Sequence, residues 1–317
     1  MSDTRIAVGE LYSMKILVFG SLNIDRTYVV EHFVNPGETI SAIKMEEFCG
    51  GKGFNQAIAL ARAGNEVYFA GALGADGDLL LDALRAEKIN VENIAKLDTP
   101  SGHAIIQIDS HGQNSIIVLA GANGEITREH IDSVLNNFAV GDLVVMQNEI
   151  SNVDYLIEKA HEKQMKIAFN PSPLNERISM CDLNLVDLLF VNEIEGAAIS
   201  SGNTCLEILH MLNEKYPEMS VVLTLGGNGS LYKDKTGQIY TCGIYKTAVV
   251  DTTAAGDTFT GYFISEYIKS DDAQISLEKA AIASGLSVSV KGASPSVPKR
   301  DMVDSIDRDV LSRCELF

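Results

Sequence analysis

Short apolar runs that end in Gly, Asn or Ser alternate along the chain with longer stretches of helical periodicity. Such runs are typical of strands that are buried on both faces of a parallel sheet. The clearest are Ile16–Phe19, Val67–Ala70, Leu143–Met146, Lys166–Phe169, Leu188–Val191 and Val221–Leu225. Between them, apolar residues spaced i, i+3, i+4 and i+7 mark one face of a helix at Phe54, Ala57, Ile58 and Ala61. The pattern predicts an α/β fold with a doubly wound, mainly parallel sheet flanked by helices.

Two segments break this alternation. Residues 103–119 place β-rich arms on either side of a turn that contains Gly112, which indicates a hairpin. Residues 27–48 contain short extended stretches around Asn35-Pro36-Gly37. We expect these two insertions, near residues 26–49 and 100–122, to form a small antiparallel β lid on the sheet.

The first residues, MSDTRIAVGELYS, lack the basic segment and the apolar core of a secretory signal. We expect residues 1–13 to be a disordered N-terminal extension, with Met14 as an alternative translation start. Residues 14–317 are expected to form a single domain that carries the lid insertions, because no linker interrupts them.

The net charge limits the classes of binding partner, and the cysteine pattern indicates the cellular compartment. The 317 residues include 43 Asp and Glu against 25 Lys and Arg, a net charge of −18. Such a field repels phosphate backbones and anionic lipid, so we expect neither nucleic acid nor a membrane as a partner. No apolar run approaches the ~20 residues that span a bilayer. The five cysteines are scattered without a C-x-x-C pair, which favours a reducing compartment, the cytoplasm.

The most informative segment is VVDTTAAGDTFTG at residues 249–261, where a β-rich stretch passes through small residues into a helical pattern. The amides of Ala254, Ala255 and Gly256 would lie unpaired at a helix N-terminus, an arrangement that binds anions. Asp257 adds a carboxylate in the same turn. A helix cap is the simpler interpretation of an isolated Gly-Asp pair. Phosphoryl transfer, however, needs both an anion site and a group that deprotonates the attacking hydroxyl.

A second glycine-rich segment, CGGKGFNQ at residues 49–56, also precedes a helical pattern. It is not a Walker A loop, because Gly53 stands where that motif requires Ser or Thr. Its glycines allow a ligand close to the backbone, and Lys52 and Asn55, about one turn apart, present polar groups on one side of the helix start. The alternative is a glycine-rich turn between a strand and a helix that binds nothing.

Polar residues also collect at the ends of the predicted strands, where open α/β sheets bind ligands. Asn23 and Asp25, two apart in an extended stretch, would point the same way and could grip adjacent hydroxyls of a polyol, although both are common turn residues. Further strand ends carry Glu149, Asn170, Asn192 with Glu195, and the loop 224–229. No G-x-G-x-x-G follows the first strand, which sets aside a dinucleotide oxidoreductase.

The segments GGKGFNQA near residue 50 and DTTAAGDTFTG near residue 251 resemble the two signature segments of the PfkB/ribokinase family of carbohydrate kinases. The resemblance continues, in order, through NID (23–25), AGAN (120–123), Glu149, NPSP (170–173), VNEIE (191–195), TLGGNG (224–229) and KGASPSVP (291–298). It covers the chain from Met14 to about Pro298. The resemblance implies a ribokinase-like fold and a kinase that uses ATP and Mg²⁺.

By the same resemblance, Asp257 matches the catalytic base, and the amides of Ala254, Ala255 and Gly256 match the anion hole for the transferred phosphoryl group. The positions that match the sugar-binding residues are Asn23, Asp25, Gly51, Lys52, Asn55 and Glu149, with Asp257. Those that match the nucleotide side are Asn192, Glu195, Thr224, Gly226, Gly227, Gly229 and Gly256, with Asn192 and Glu195 near Mg²⁺.

The resemblance also implies a monovalent cation beside the anion hole. K⁺ suits a cage of backbone carbonyl oxygens with one carboxylate. The matched positions are Asp251, Thr253, Ser287, Val290, Gly292 and Ser296. Residues 281–284, Ala-Ile-Ala-Ser, depart from relatives that place a polar or imidazole side chain near the adenine, which leaves the contacts to the base open.

The reaction that the resemblance implies is transfer from MgATP to the O5 hydroxyl of D-ribose. All six sugar positions carry the matching residue type, which favours ribose over a purine nucleoside or fructose phosphate. A kinase for deoxyribose, a ketohexose or a nucleoside is the alternative, and a catalytically silent sugar-binding regulator is a further one that the intact Asp257 argues against. The lid would exclude water from the site, and pairing of two lid edges would give a homodimer.

Overall fold

A computed structural model describes residues 14–316 of the chain. The described residues form a nine-stranded sheet, which carries helices on both faces, and a separate four-stranded sheet. The strands are β1 (Ile16–Phe19), β2 (Asn23–Val29), β3 (Lys44–Gly50), β4 (Val67–Leu73), β5 (Asn90–Lys96), β6 (Gly102–Ile108), β7 (Asn114–Leu119), β8 (Leu143–Gln147), β9 (Lys166–Asn170), β10 (Leu188–Asn192), β11 (Ser220–Thr224), β12 (Ser230–Lys233) and β13 (Ile239–Cys242).

The helices connect the strands of the large sheet. They are α1 (Lys52–Arg62), α2 (Asp78–Ala86), α3 (Arg128–Leu135), α4 (Val153–Glu162), α5 (Glu193–Ser200), α6 (Cys205–Lys215), α7 (Ala255–Ser270), α8 (Ala273–Ser287), α9 (Ala293–Ser296) and α10 (Arg300–Asp304). Short 3₁₀ turns occupy Gly121–Glu125, Glu176–Met180, Leu183–Leu185, Gly226–Asn228 and Arg308–Val310.

The large sheet has the order β13-β12-β11-β10-β9-β8-β1-β4-β5, and its first two strand pairs are antiparallel while the others are parallel. Its strands alternate apolar residues between two cores. In β1, Ile16 and Val18 belong to the core under α1, α7 and α8, whereas Leu17 and Phe19 belong to the core under α3, α4 and α6. Burial on both faces explains why the strand is apolar throughout. The predicted doubly wound sheet is confirmed.

The predicted lid is the second sheet, with the order β3-β2-β6-β7. Each insertion supplies an antiparallel pair, β2 with β3 and β6 with β7. The two pairs join through β2 and β6, which run parallel from the register Asn23↔Gly102 to Val29↔Ile108. The lid is therefore two hairpins side by side rather than antiparallel throughout.

The chain changes direction within the large sheet between β1 and β8. After β1 it builds outward through β4 and β5, and it then returns to β8 on the other side of β1. In open α/β sheets such a switch point opens a crevice at the carboxyl ends of the strands. The residues after β1 and β8 meet there, because the Ser21 hydroxyl donates a hydrogen bond to Glu149.

The prediction of a disordered extension over residues 1–13 lies outside the described residues. Within residues 14–316, no helix is both long and apolar enough to cross a membrane. The five cysteines all lie in this range, and none of them forms a disulfide there.

Candidate active site

Asp257 lies in the first turn of α7 and is buried. Both carboxylate oxygens accept hydrogen bonds from side chains of α1. The Asn55 Nδ2 donates to Oδ2 at 3.0 Å, and the Gln56 Nε2 donates to Oδ1 at 3.0 Å. The Gln56 Oε1 in turn accepts a 2.7 Å hydrogen bond from Gln147 at the end of β8. The predicted base is therefore fixed in orientation by a network that joins α1, α7 and β8.

The N-terminus of α7 opens on the same cavity. Ala254 precedes the helix in the left-handed conformation, with φ of 60°. The Ala255 amide donates to the Thr252 carbonyl at 3.3 Å, which differs from the expectation that its amide is unpaired. The first helical bond is the one from Thr258 to Ala254, so the helix provides no acceptor for the amides of Gly256 and Asp257. These two amides are the better candidates for binding an anion.

The glycines at the start of α1 are required by contacts with the chain after β1. Gly51 has φ of 93°, a backbone conformation that side chains disfavour. A Cβ on Gly53 would lie 2.4 Å from the Ser21 nitrogen and 2.7 Å from the Gly20 carbonyl carbon. The Gly53 amide donates to the Ser21 hydroxyl at 3.2 Å. The segment CGGKG thus packs backbone against backbone and places Lys52 at the cavity.

Three charged side chains meet between lid and sheet. Glu149 accepts the Lys52 backbone N–H at 2.8 Å, and burial raises the pKa of its carboxyl. Burial, helped by the charge of Glu149, raises the pKa of Asp25 to about 6. Burial alone would lower the pKa of Lys52, but the charges of Asp257, Glu149 and Glu195 together raise it. Lys52 therefore remains a cation among carboxylates.

Asn23 and Asp25 lie on β2, the lid strand that leaves the sheet, as predicted. A Cβ on Gly50, the last residue of β3, would lie 2.1 Å from Asp25 Oδ2, so this glycine makes room for the carboxylate. Asn23 Oδ1 accepts a 2.8 Å hydrogen bond from Asn123 Nδ2. Asn123 also bonds both the N–H and the carbonyl of Leu22. The structure thus brings the six predicted sugar positions to one end of the switch-point crevice.

The phosphate side of the cavity is lined by Lys52 and Thr224, by the first turn of α7, and by the start of α5. Asn192 and Glu195 form a capping box at α5: Asn192 Oδ1 accepts the Glu195 N–H at 2.9 Å, and Glu195 Oε2 accepts the Asn192 N–H at 3.0 Å. One oxygen of each side chain is therefore occupied by the helix cap. Through their remaining polar atoms these residues fit Mg²⁺, which takes few protein ligands and keeps several waters.

A larger apolar cavity of about 510 Å³ continues from the phosphate side. The two share Thr224, Thr252, Ala255 and Gly256, so they form one cleft. The predicted glycines Gly226, Gly227 and Gly229 line its rim. Ala281 and Ser284, from the segment 281–284 expected near the adenine, also line it. The rest of its wall was not anticipated from the sequence and includes Tyr245, Lys246, Thr247, Val249, Phe259 and Gly285.

The positions expected to hold a monovalent cation lie beside the start of α7. Asp251 accepts hydrogen bonds from the N–H and hydroxyl of Thr253 at 2.9 and 2.7 Å, and from the Gly292 N–H at 2.9 Å. These donors lower the pKa of Asp251 against the opposing effect of burial. The other positions, Ser287, Val290 and Ser296, are in the segment from the end of α8 to α9. Within residues 14–316 no group of three or more His, Cys, Asp or Glu side chains has a metal-binding arrangement.

Sequence reasoning missed four polar residues that organise the site: Ser21, Gln56, Asn123 and Gln147. Gln147 had a usable signal, since it is a polar residue at the end of the apolar run LVVM. Gln56 follows the predicted Asn55 directly. A polar side chain in a buried segment needs a partner, which is the physical reason to look for one.

A doubly wound sheet with a small β lid, and a buried aspartate at a helix N-terminus with unpaired amides, suit a phosphotransferase that acts on an alcohol group. The pfkB family carbohydrate kinase model matches residues 13–300, and the chain belongs to this family.

Several proteins of known activity are similar to the chain. A ribokinase of Staphylococcus aureus is 33% identical over 305 residues, which cover 92% of this chain and 99% of that protein. A bifunctional ribokinase/ribose-5-phosphate isomerase A of Fructilactobacillus sanfranciscensis is 34% identical over 95% of this chain, which spans 58% of that longer protein. A deoxyribokinase of Salmonella typhimurium is 28% identical over 90% of this chain and 96% of its own length.

Solved structures of ribokinases are also similar in fold to this chain. Ribokinase of Cryptococcus neoformans in complex with ADP gives a TM-score of 0.83 at 29% identity and covers 92% of this chain and 99% of its own. Ribokinase of Arabidopsis thaliana complexed with ribose and ATP gives 0.82 at 29% identity, with 93% and 98% covered.

Proposed function

We propose that the protein transfers the γ-phosphoryl group of ATP to the O5 hydroxyl of D-ribose, giving ribose 5-phosphate and ADP. The observation that carries the proposal is the position of Asp257. Its carboxylate is buried where the sugar-binding end of the crevice meets the phosphate cavity, and both its oxygens are held by amides. A proton acceptor in that place serves a hydroxyl on one side and a phosphoryl group on the other.

In the proposed reaction Asp257 accepts the proton of O5 while O5 bonds to the γ-phosphorus, and the bond from that phosphorus to the β,γ-bridging oxygen breaks. Lys52, which is positively charged, lines the phosphate cavity. The amides of Gly256 and Asp257 line the same cavity and bring the partial positive charge of the helix N-terminus to it. Bound Mg²⁺, for which Asn192 and Glu195 are the candidate residues, would neutralise phosphate charge. The nucleoside would occupy the larger apolar cavity.

Ribose is the proposed acceptor because two carboxylates and two amides face the sugar end of the crevice. Asp25 and Glu149 accept hydrogen bonds from sugar hydroxyls, and Asn23 and Asn55 offer amide groups. The Asn55 Oδ1 is buried without a protein partner among residues 14–316 and is free to accept a hydroxyl. Deoxyribose is the second candidate, supported by the similarity to a deoxyribokinase.

The test is a panel of acceptors. ADP release is measured with ribose, deoxyribose, fructose, tagatose and adenosine, each with Na⁺ and with K⁺, and the phosphorylated product is identified by phosphorus NMR. We expect the highest kcat/KM with ribose and a 5-phosphate as product. Higher kcat/KM with deoxyribose would move the proposal to that sugar, and no acceptor-dependent ADP release would favour the silent regulator.

We propose further that K⁺ occupies the segment around Asp251 and Gly292, next to the anion-binding turn. The support is a carboxylate already oriented by three donors and surrounded by a turn of backbone. A cation there would strengthen the positive field at the start of α7 without contacting the substrate.

We also propose that the protein is a cytoplasmic homodimer. Strand β7 is one of the two edge strands of the lid, and its four consecutive apolar residues Ile116, Ile117, Val118 and Leu119 are 51–64% exposed. An exposed apolar edge strand is a template for pairing with another chain, and a second copy would cover it. Five cysteines without a disulfide among residues 14–316 suit a reducing compartment.

A further inference from the structure

Two buried glutamines stand behind the proton acceptor. Gln56 and Gln147 are both inaccessible to solvent. The Gln147 Nε2 donates to Gln56 Oε1 at 2.7 Å, and the Gln56 Nε2 donates to Asp257 Oδ1 at 3.0 Å. The three groups form a line of hydrogen bonds from the end of β8 through α1 to α7. Neither glutamine lines the phosphate side of the cleft or the larger apolar cavity.

The direction of this line is fixed by chemistry. An amide has one donor end and one acceptor end, so the two ends of Gln56 cannot exchange without loss. Since Gln147 presents its NH₂ group to Gln56, Gln56 must turn its oxygen to Gln147 and its own NH₂ group to Asp257. A reversed Gln56 would face its oxygen to the carboxylate and its NH₂ group to another NH₂ group. The carboxylate of Asp257 requires the NH₂ end of Gln56, and Gln147 supports that orientation by donating to the other end.

Gln147 is held in place at a cost. Its Oε1 has no hydrogen-bond partner among residues 14–316 although it is buried, and a buried acceptor without a donor destabilises the fold. Space for it exists only because residue 20 is glycine, where a Cβ would lie 2.3 Å from Gln147 Oε1. An apolar residue would fill the same space without an unsatisfied atom. The other end of Gln147, the donor to Gln56, is what an apolar residue could not provide.

Neutral donors suit a carboxylate that must accept a proton. An amide N–H has no proton to give up at physiological pH, whereas a cation at the same place would compete with the substrate hydroxyl for the carboxylate. The charged groups that face Asp257 lie elsewhere: Lys52 on α1 and Glu149 after β8, with Glu195 on α5 acting on Lys52. The two amide donors fix the direction of the Asp257 carboxylate and leave its remaining lone pairs to the cavity.

We propose that Gln56 and Gln147 are positioning residues of the phosphoryl transfer, acting in series. Gln147 supports the orientation of Gln56, and Gln56 holds the rotation of the Asp257 carboxylate while the acceptor hydroxyl binds. The inference rests on the proposed function only in taking Asp257 as the proton acceptor.

The test uses methionine, which keeps the length of glutamine and removes its hydrogen bonds. For Gln56→Met we expect kcat to fall by ~10- to 100-fold, as for small misplacements of reacting groups. The KM values for sugar and ATP should stay within about twofold, since neither ligand contacts Gln56.

Gln147→Met should lower kcat by less than Gln56→Met does, because Gln56 keeps its place but loses its orientation. The double variant should be no slower than Gln56→Met alone, because two steps in series cannot both be lost independently. Gln238→Met, on an exposed turn, is the matched control and should have the parent kinetics. If the two fold-decreases in kcat multiply in the double variant, Gln147 does not act through Gln56. An unchanged kcat in Gln56→Met would overturn the whole proposal.

Gln56→Glu covers the case in which a methionine variant fails to fold. In its neutral form the introduced carboxyl group donates to Asp257, and in its ionised form it repels Asp257. The kcat of this variant should therefore fall as pH rises through the range in which the introduced carboxyl group ionises. A pH profile unchanged from the parent would contradict the inference.

Asp257→Asn separates the two proposals. If this variant stays active, the assigned base is wrong. If Asp257→Asn is inactive while Gln56→Met is fully active, the proposed role of the glutamines is wrong and the assignment of Asp257 as the base stands.

Discussion

At the scale of single residues, Asp257 is the proposed proton acceptor, and the residues around it are proposed to supply orientation and charge. Asp257→Asn should lower kcat by at least ~10²-fold, because the amide cannot accept the hydroxyl proton. Sugar KM should change little, since the amide still fills the site. Steady-state kinetics would measure both.

Asp271→Asn is the matched control for that variant, because Asp271 caps the far end of the same helix in a left-handed conformation that Asn tolerates. It should retain full activity. Near-normal turnover of Asp257→Asn would remove Asp257 from its role.

Asp25 makes sugar binding depend on pH. Its folded pKa, about 6, lies above the ordinary value of 3.8. The folded protein therefore holds this proton more tightly than the unfolded chain, and the stability that it contributes is lost as pH rises through 6. A sugar hydroxyl needs the ionised carboxylate, so its KM should rise below about pH 6 by up to ~10-fold per unit.

Titration calorimetry of sugar binding between about pH 5 and 8 would measure this dependence. Asp25→Asn should bind the sugar weakly and lose most of the pH dependence of its affinity. Any pH dependence that remains is assigned to Glu149, whose pKa is also raised. Affinity that stays flat across the acid part of this range in the parent protein would contradict the assignment.

At this scale the sequence predicts the residues that face the cavity and misses those behind them. Asp257, Lys52 and Asn55 stand in recognisable segments because ligand contact restricts their type and spacing. Gln56 and Gln147 come from distant parts of the chain, and only the packing of α1 against β8 makes them partners. A pairing of that kind depends on tertiary structure, which local pattern does not contain.

At the scale of elements, the N-terminus of α7 is the proposed binding site for the transferred phosphoryl group. A Cβ on Gly256 would meet no atom within 4 Å, and its φ is not positive, so alanine fits the fold there. Gly256→Ala should leave stability unchanged or raise it by ~0.4–1 kcal/mol. The methyl group would stand where the phosphate approaches the amide, so KM for ATP should rise ~10-fold or more.

Calorimetric melting and ATP kinetics would separate the two effects. A normal KM for ATP in a stable Gly256→Ala protein would show that phosphate does not bind at this turn. The sugar KM of the same variant is the internal control.

The segment around Asp251 should make turnover depend on the cation. We expect kcat in K⁺ to exceed that in Na⁺ by at least ~5-fold, because a carbonyl cage suits the larger ion. Asp251→Ala should lose the difference and retain sugar binding. Choline chloride keeps ionic strength constant in the comparison, and equal turnover in all three salts would contradict the proposal.

The elements themselves were predictable where burial on both faces makes a strand wholly apolar. β1 matches its prediction residue for residue, and β8, β9 and β10 each extend one residue further. The edge strands β5, with the sequence NVENIAK, and β13 escaped prediction together with β12, because polar residues interrupt all three. The parallel joint between β2 and β6 escaped as well, because hairpin turns set register within each pair but not between pairs.

At the scale of the whole molecule, the exposed strand β7 should decide assembly. We expect a mass of twice the 34.3 kDa chain in light scattering after size exclusion. Ile117→Lys should give a monomer, because a buried unpaired charge destabilises the paired edge. Val140→Lys, equally exposed at 63% but outside the lid, is the control and should stay dimeric. A monomeric parent protein would overturn the proposal.

The lid is attached to the sheet through the residues that are proposed to bind the sugar. β2 begins at Asn23 and β3 ends at Gly50, beside Asp25 and two residues before Lys52. On the proposed function, sugar binding and closure of the lid are therefore a single equilibrium. A sugar with too few hydroxyl groups to contact the start of β2 and the end of β3 would leave the phosphoryl group exposed to water. The fidelity of such an enzyme would be read less from its affinity than from its stoichiometry, the number of ATP molecules consumed for each sugar phosphate released.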